Sequence, residues 1–387
     1  MAITAASLPP PRVAREPFLD WLRILAFALL VPYHVGMYYV SWDFHIKSAQ
    51  TVTALEPWMK LFNPWRMDLI FLVSGAATAC MLRGRAADGT WLRERARRLL
   101  WPLLFGVLVI VPPQSYIEVV QRFGYADGWW RFWGLYLSHD KGFTQANGAR
   151  LILPTWNHLW YLPYLFSYTL LLWAGLRWRP AALDAWAARC APIGRGALLL
   201  ALPIAWLWLT RLALRQRFPE THALVDDWLM HAQYLPMFLA GAVLARSPGA
   251  WAALSRWRRL ALALGLLAWV GLLSPLNSMW PAGAVVRPLV YSVQQWSCIV
   301  AAVGFAHAHL SRDHPWRARL TEAVFPVYIL HQTLILVLAH AMRPLAWPPA
   351  VEAPLLVALT FALAWLGFEA VSRVAWLRPA FGLKRLN

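Results

Sequence analysis

Phe18-Leu-Asp20-Trp-Leu-Arg23-Ile-Leu-Ala-Phe-Ala-Leu-Leu-Val-Pro-Tyr33-His34-Val-Gly-Met-Tyr-Tyr39 is almost wholly apolar, yet it contains an arginine and a histidine. About 20 residues of helix cross the roughly 30 Å hydrocarbon core of a bilayer, so this segment predicts a membrane-spanning helix. Arg23 and His34 lie eleven positions apart. That is about three turns, which puts them on one helix face roughly 16 Å apart. Ionisable groups at membrane depth are costly and normally line an interior cavity or pathway, so the pair marks a candidate functional site.

The rest of the chain has the same character. Its 387 residues are 60% hydrophobic and only 14% charged, with 26 tryptophans, a composition foreign to soluble domains of this size. The predicted fold class is an all-α polytopic membrane protein of about ten transmembrane helices, with both termini cytoplasmic. The expected spans are 18–40, 61–82, 99–119, 156–176, 197–213, 231–246, 259–276, 287–309, 321–342 and 352–375. The fifth and sixth are the shortest, with Arg211 and His231 at their edges, and without them the count falls to eight or nine. One membrane domain, 18–376, fills the chain between a cytoplasmic N-terminal segment, 1–17, and a cytoplasmic tail, 377–387.

Orientation follows from the basic residues, which collect in cytoplasmic loops. Arg12 and Arg15 precede the first span. Arg83, Arg85, Arg93, Arg95, Arg97 and Arg98 follow the second, and the same parity continues to Lys384 and Arg385. A net charge of +18 spread over alternate short loops is explained by topology and anionic lipid headgroups, not by a nucleic-acid partner. The first eleven residues lack the features of a cleavable signal peptide, so span one is expected to act as an uncleaved anchor. Cys80, Cys190 and Cys298 have no metal or disulfide spacing and read as packing residues; no metal site is expected.

Five polar constellations carry candidate chemistry. A neutral His34 in an apolar tunnel suits a general base that takes a proton from an alcohol. The plain alternative is a histidine that bonds a neighbouring helix. Arg23 reads equally as an interfacial partner of Asp20, three residues earlier. Trp91-Leu-Arg93-Glu-Arg95-Ala-Arg97-Arg98 sets guanidinium groups at helical spacing, able to grip phosphates, although positive-inside topology alone yields such a loop. Asn63-Pro-Trp-Arg66-Met-Asp68 leading to Ser74-Gly75, Trp156-Asn-His158-Leu-Trp160, and Tyr328-Ile-Leu-His331-Gln332 repeat the theme of polar groups beside aromatic ones.

Asp20-Trp-Leu-Arg23 with ten residues before His34, Phe71-Leu-Val-Ser74-Gly75, the arginine-rich loop ending in Pro102, His158-Leu-Trp160-Tyr-Leu-Pro163 and Phe325-Pro-Val-Tyr-Ile-Leu-His331 together resemble the acyltransferase family 3 membrane enzymes. Ser41-Trp-Asp-Phe-His45 and Leu61-Phe-Asn63 through Arg66-Met67 are similar to the branch that succinylates periplasmic glucans. The resemblance implies acyl transfer from cytoplasmic acyl-CoA, as acetyl-CoA or succinyl-CoA, to a carbohydrate hydroxyl at the periplasmic face of the bacterial inner membrane. It also implies roles for particular residues. Arg95, Arg98 and Arg93 would hold the CoA phosphates, and Arg23 would bind the donor or stabilise charge in the tunnel. His34 would be the base, while Ser74, Tyr33 or His331 would be donors to the oxyanion. His45, Arg66 and His158 would line the acceptor side. Direct attack and an acyl-histidine intermediate both remain open.

The longest outer loop, 120–155, carries Trp129, Trp130, Trp133, Tyr136, His139 and Asp140, which fit sugar rings or an interfacial aromatic belt. A basic outer pocket would fit an anionic acyl group such as succinyl. The rival class is a transporter or flippase for a lipid-linked sugar or acylated metabolite, with Arg23 and His34 as substrate or proton sites. A scaffold without chemistry would leave those residues without a purpose. The sequence gives no sign of an oligomeric state.

Overall fold

The computed structural model describes residues 16–82, 87–138, 143–144, 151–192, 196–247, 249–274 and 283–385. Every expected span contains a helix: α1 (Pro17–Tyr39), α2 (Thr53–Leu82), α3 (Gly89–Phe123), α5 (Asn157–Trp178), α7 (Leu198–Leu214), α8 (Trp228–Leu244), α9 (Ala250–Leu273), α10 (Gly283–His309), α11 (Pro315–Met342) and α12 (Pro349–Arg373). Two short helices, α4 (Trp129–Leu137) and α6 (Ala182–Cys190), lie in the connections.

Among the described residues seven of these helices are long and apolar enough to cross a membrane: α1, α2, α3, α5, α10, α11 and α12. The shortfall from ten has a local cause. Helices α7 and α8 are apolar but only 17 residues long, and polar groups occupy their ends: Arg211 in the last turn of α7, His231 in the first of α8. Helix α9 is 24 residues long but carries Arg256, Arg258 and Arg259 in its first half.

Between apolar helices in lipid there is little hydrophobic drive, so small residues that let backbones approach decide the packing. Helices α2 and α8 meet at Gly75 and Gly241. A β-carbon on Gly75 would stand 1.8 Å from the Phe238 carbonyl oxygen, and one on Gly241 1.8 Å from that of Leu72. Helices α9 and α10 touch through Gly304, where a β-carbon would lie 2.8 Å from the Leu254 carbonyl, and through Gly265, which abuts Cys298.

Helix α3 contains Pro102 and then a π-helical turn, Gly106–Ile110. Such turns leave carbonyls outside the regular ladder, and in a membrane these must be met by other groups. Here Tyr136 donates to the Val107 carbonyl at 2.8 Å and Thr333 to that of Ile110 at 2.7 Å.

The arginine-rich end of the bundle is laced by ion pairs. Arg317 joins Asp20 to Asp313, Arg319 meets Glu369 at 2.8 Å, and Arg378 meets Glu322 at 3.1 Å. Hydrogen bonds from Arg317 hold the exposed Asp313 carboxyl down to about 2, so this staple stays charged through the neutral range. Part of the segment expected to be a tail packs against the bundle: Arg378 is buried, and the Phe381 ring lies 5.4 Å from that of Phe105.

A Gly241→Val substitution should force α2 and α8 apart and cost about 3 kcal/mol, the upper end for overpacking. Thermal unfolding of the purified protein checks this, and an unchanged midpoint would contradict the close crossing.

Candidate functional site

Away from the arginine-rich end, α1, α2, α5, α7, α8, α10 and α11 surround a cavity of about 510 Å³. Tyr33, His34, His45, Arg66, Asp68, His158, Arg211, Glu220, Tyr291 and Gln332 are among its lining residues.

His34 is held by a directed relay. Its Nδ1 lies 2.8 Å from Nε2 of His331, whose Nδ1 lies 2.6 Å from the Tyr328 carbonyl oxygen. A carbonyl only accepts, so His331 carries its proton on Nδ1 and its Nε2 accepts. His34 must then donate from Nδ1, and its Nε2 keeps the lone pair. The rings of His34 and His331 stack 5.0 Å apart, with Phe44 on His34 at 6.2 Å. With both nitrogens engaged and the ring 1% exposed, His331 positions His34 and is not available as an oxyanion donor.

Behind this relay sits Gln114, fully buried on α3. Its amide nitrogen donates to Thr333 at 2.7 Å and to Nδ1 of His158 at 3.3 Å, while its oxygen accepts from Asn157 and Gln332 at 3.1 Å. His158 donates from Nε2 to the Ile329 carbonyl at 3.0 Å. Both its nitrogens are therefore spent on joining α3, α5 and α11. Although His158 lines the cavity, its bonds are structural.

His45 lies on the connection 40–52, which Lys47, Arg122 and Glu118 pin down. Lys47 donates to the carbonyls of Met37, Val40 and Trp42. Arg122 reaches Asp43 at 2.7 Å and the carbonyls of Phe44 and His45. The buried Glu118 holds Nδ1 of His45 at 2.6 Å. Arg66 lies with its guanidinium 3.5 Å over the Tyr33 ring and donates to Asn63 Oδ1 at 2.6 Å. Tyr33 donates to the same oxygen at 2.8 Å.

Four expected site residues form a second cluster nearer the arginine-rich end. Ser74 hydrogen-bonds Tyr161, and Tyr161 lies within electrostatic range of Arg23 and Arg95. Arg95 is half-buried and within range of Arg98; Arg93 and Arg98 are exposed. Ser74 does not line the cavity that contains His34. Asp20, three residues before Arg23, also pairs with Arg317. An aromatic layer separates the two clusters: Phe27 lies 6.0 Å from the Arg23 guanidinium and edge-on to Tyr161 and Tyr328.

In the outer loop Tyr136 is fully buried and bonded to backbone, so it serves packing and not sugar contact. Trp130 is exposed, and Trp129 and Trp133 are half-buried. His139 and Asp140 lie outside the described residues. Beside Arg66 and Arg211 the cavity also carries two carboxyls, Asp68 and Glu220. Arg211 was legible as a charge in an apolar helix, the same signal that marks His34, but its place at a helix edge masked it. Glu118 had no sequence signal, since its partner is 73 residues away.

The profile of the acyltransferase domain family matches residues 16–369, nearly the whole chain. This chain belongs to acyltransferase family 3. Among curated relatives, glucans biosynthesis protein C of Escherichia coli strain K12, strain SMS-3-5 and strain O6:K15:H31 are each 32% identical over 166 residues. Those alignments cover 42% of this chain, and the chain spans about two fifths of the length of these relatives, 39%. No solved structure matches significantly. In this family 3 acyltransferase the matched region holds both polar clusters, from Arg23 to His331.

Arg122→Ala should free the connection that carries His45. Hydrogen bonds to charged groups contribute about 1.5–3 kcal/mol each, so amide exchange across residues 40–52 should accelerate at least ~tenfold. Unchanged protection there would show that Arg122 does not clamp the connection.

Proposed function

We propose that this chain is an integral membrane O-acyltransferase. It moves an acyl group, acetyl or succinyl, from acyl-CoA bound at the arginine-rich, cytoplasmic end to a carbohydrate hydroxyl at the opposite, periplasmic face of the bacterial inner membrane. The observation that carries the reading is the His34–His331–Tyr328 relay, which leaves one basic nitrogen on a residue facing a cavity, with a separate arginine cluster toward the other end. The similarity to glucans biosynthesis protein C supports a glucan or surface polysaccharide as acceptor.

Arg95, Arg98 and Arg93 bind the donor phosphates by charge-assisted hydrogen bonds. The pantetheine arm runs past Arg23 and the Phe27–Tyr161–Tyr328 layer and delivers the thioester to the cavity. The acceptor hydroxyl oxygen attacks the thioester carbon while Nε2 of His34 takes its proton. His331 Nε2, already accepting from Nδ1, stabilises the imidazolium so formed. Collapse of the tetrahedral species breaks the carbon–sulfur bond, and the departing thiolate recovers the proton from His34. The ester and free CoA are the products. Donors for the oxyanion come from the cavity wall, where Arg66 is charged and oriented by Tyr33 and Asn63.

Transfer of label from acetyl-CoA and succinyl-CoA into glucan, in inverted vesicles, tests this reading. His34→Ala should lower transfer by about 10²- to 10⁴-fold, the usual contribution of general base catalysis, while the protein stays folded. Equal turnover in wild type and variant would remove His34 from proton transfer. No transfer from either donor by folded wild-type protein would favour transport. Replacing Arg95 and Arg98 together should raise the KM for acyl-CoA more than that for the acceptor; the reverse pattern would contradict their assignment to the donor.

A further inference from the structure

One end of the cavity, at the junction of α2, α7, α8 and α10, contains hydrogen-bonding capacity that the described protein leaves unused. Asp68 and Gln233 are 3% and 1% exposed, yet Oδ1 of Asp68 and Nε2 of Gln233 have no hydrogen-bond partner among the described residues. The same holds for the buried Nε atoms of Arg66 and Arg211. All four side chains line the one cavity.

Unmatched buried polar atoms are rare in native proteins because each costs about 1–3 kcal/mol, so four around one cavity call for a ligand. Their neighbours hold them rigidly. Arg211 donates from Nη2 to Gln233 and Gln295, each at 2.8 Å, and its guanidinium lies 4.2 Å over the Tyr291 ring. Gln233 Oε1 is thereby consumed, which fixes its amide as a donor. Arg66 is fixed over Tyr33 in the same manner.

The unused set is three donors and one carboxyl oxygen, and both cations and carboxyls line the cavity, Arg66 and Arg211 with Asp68 and Glu220. A carboxylate or phosphate would satisfy the donors but would face the Asp68 oxygen with like charge. A neutral vicinal diol satisfies both kinds of group at once. Its hydroxyls donate to Asp68 and accept from Arg66, Arg211 and Gln233.

We propose that Asp68, Arg211, Gln233 and Arg66 form a subsite that binds adjacent hydroxyls of a neutral sugar residue of the acceptor. This rests on the carbohydrate-acceptor reading above and assigns the end of the cavity where the acceptor is gripped. The bound ring is thereby anchored to groups beside His34, so that another of its hydroxyls reaches Nε2.

Binding can be read without turnover in a His34→Ala background, by calorimetry in lipid nanodiscs free of glycosidic detergent. The probes are glucose tetrasaccharides of α and of β linkage, and succinate. A tetrasaccharide should bind the His34→Ala protein, and adding Asp68→Asn or Arg211→Gln should weaken it about tenfold or more. Thermal unfolding confirms that each variant is folded, and Gln233→Met serves as a second, uncharged probe of the subsite.

In the active protein, Asp68→Asn should raise the KM for acceptor while leaving that for acyl-CoA unchanged. The sign of the Asp68→Asn effect separates the ligand classes. Succinate that binds more tightly to Asp68→Asn and is lost in Arg211→Gln would overturn the sugar assignment in favour of an anion site. Failure of folded His34→Ala protein to bind any tetrasaccharide, or equal affinity in all variants, would also overturn it. His34-dependent transfer together with either failure removes the subsite and leaves the acyltransferase reading standing. Asp68-dependent sugar binding without transfer does the opposite.

Discussion

In the hydrocarbon core of a bilayer no water is present to meet a stray donor or acceptor, so each buried polar group must find its partner within the protein. The bundle is organised by that constraint. Gln114 shows it most clearly: one fully buried amide joins Thr333, His158, Asn157 and Gln332, and so ties α3 to α5 and α11. The π-helical turn in the same helix has its freed carbonyls taken by Tyr136 and Thr333. Remove these bonds and α3 loses its polar ties to α5 and α11.

The same constraint gives His34 its chemistry. A histidine in water samples both tautomers and both protonation states, but here a backbone carbonyl at the far end of a two-histidine chain dictates where each proton sits. The basic nitrogen is thus chosen by Tyr328, a residue almost 300 positions later in the chain. Away from the arginine-rich end, Glu118 and Arg122 fix the connection bearing Phe44 and His45, so the cavity wall is held by one helix end. Where the constraint is not met, unmatched atoms occur singly at several places in the bundle, but those of Asp68, Gln233, Arg66 and Arg211 line one cavity.

The division into two polar clusters also has physical content. Arg23 and Arg95 lie on one side of the Phe27–Tyr161–Tyr328 layer and His34 on the other. Aromatic rings of this size exclude water while leaving narrow passages between their edges.

Sequence alone determined the membrane class and the helical segments and marked Arg23 and His34 as candidates, because hydropathy is a local property and an ionisable group in an apolar helix is costly wherever it occurs. It also brought forward His331 and His158, but as undifferentiated polar residues. Only the tertiary structure decided that His331 orients His34 while His158 is consumed by Gln114 and Ile329. It separated Ser74 from the cavity, buried Tyr136, packed part of the expected tail against α3, and brought Arg211, Asp68 and Gln233 together. Each of these depends on which hydrogen-bond partner lies opposite, and partners from 19 to 297 residues apart are set by helix packing, which no local pattern in the sequence records.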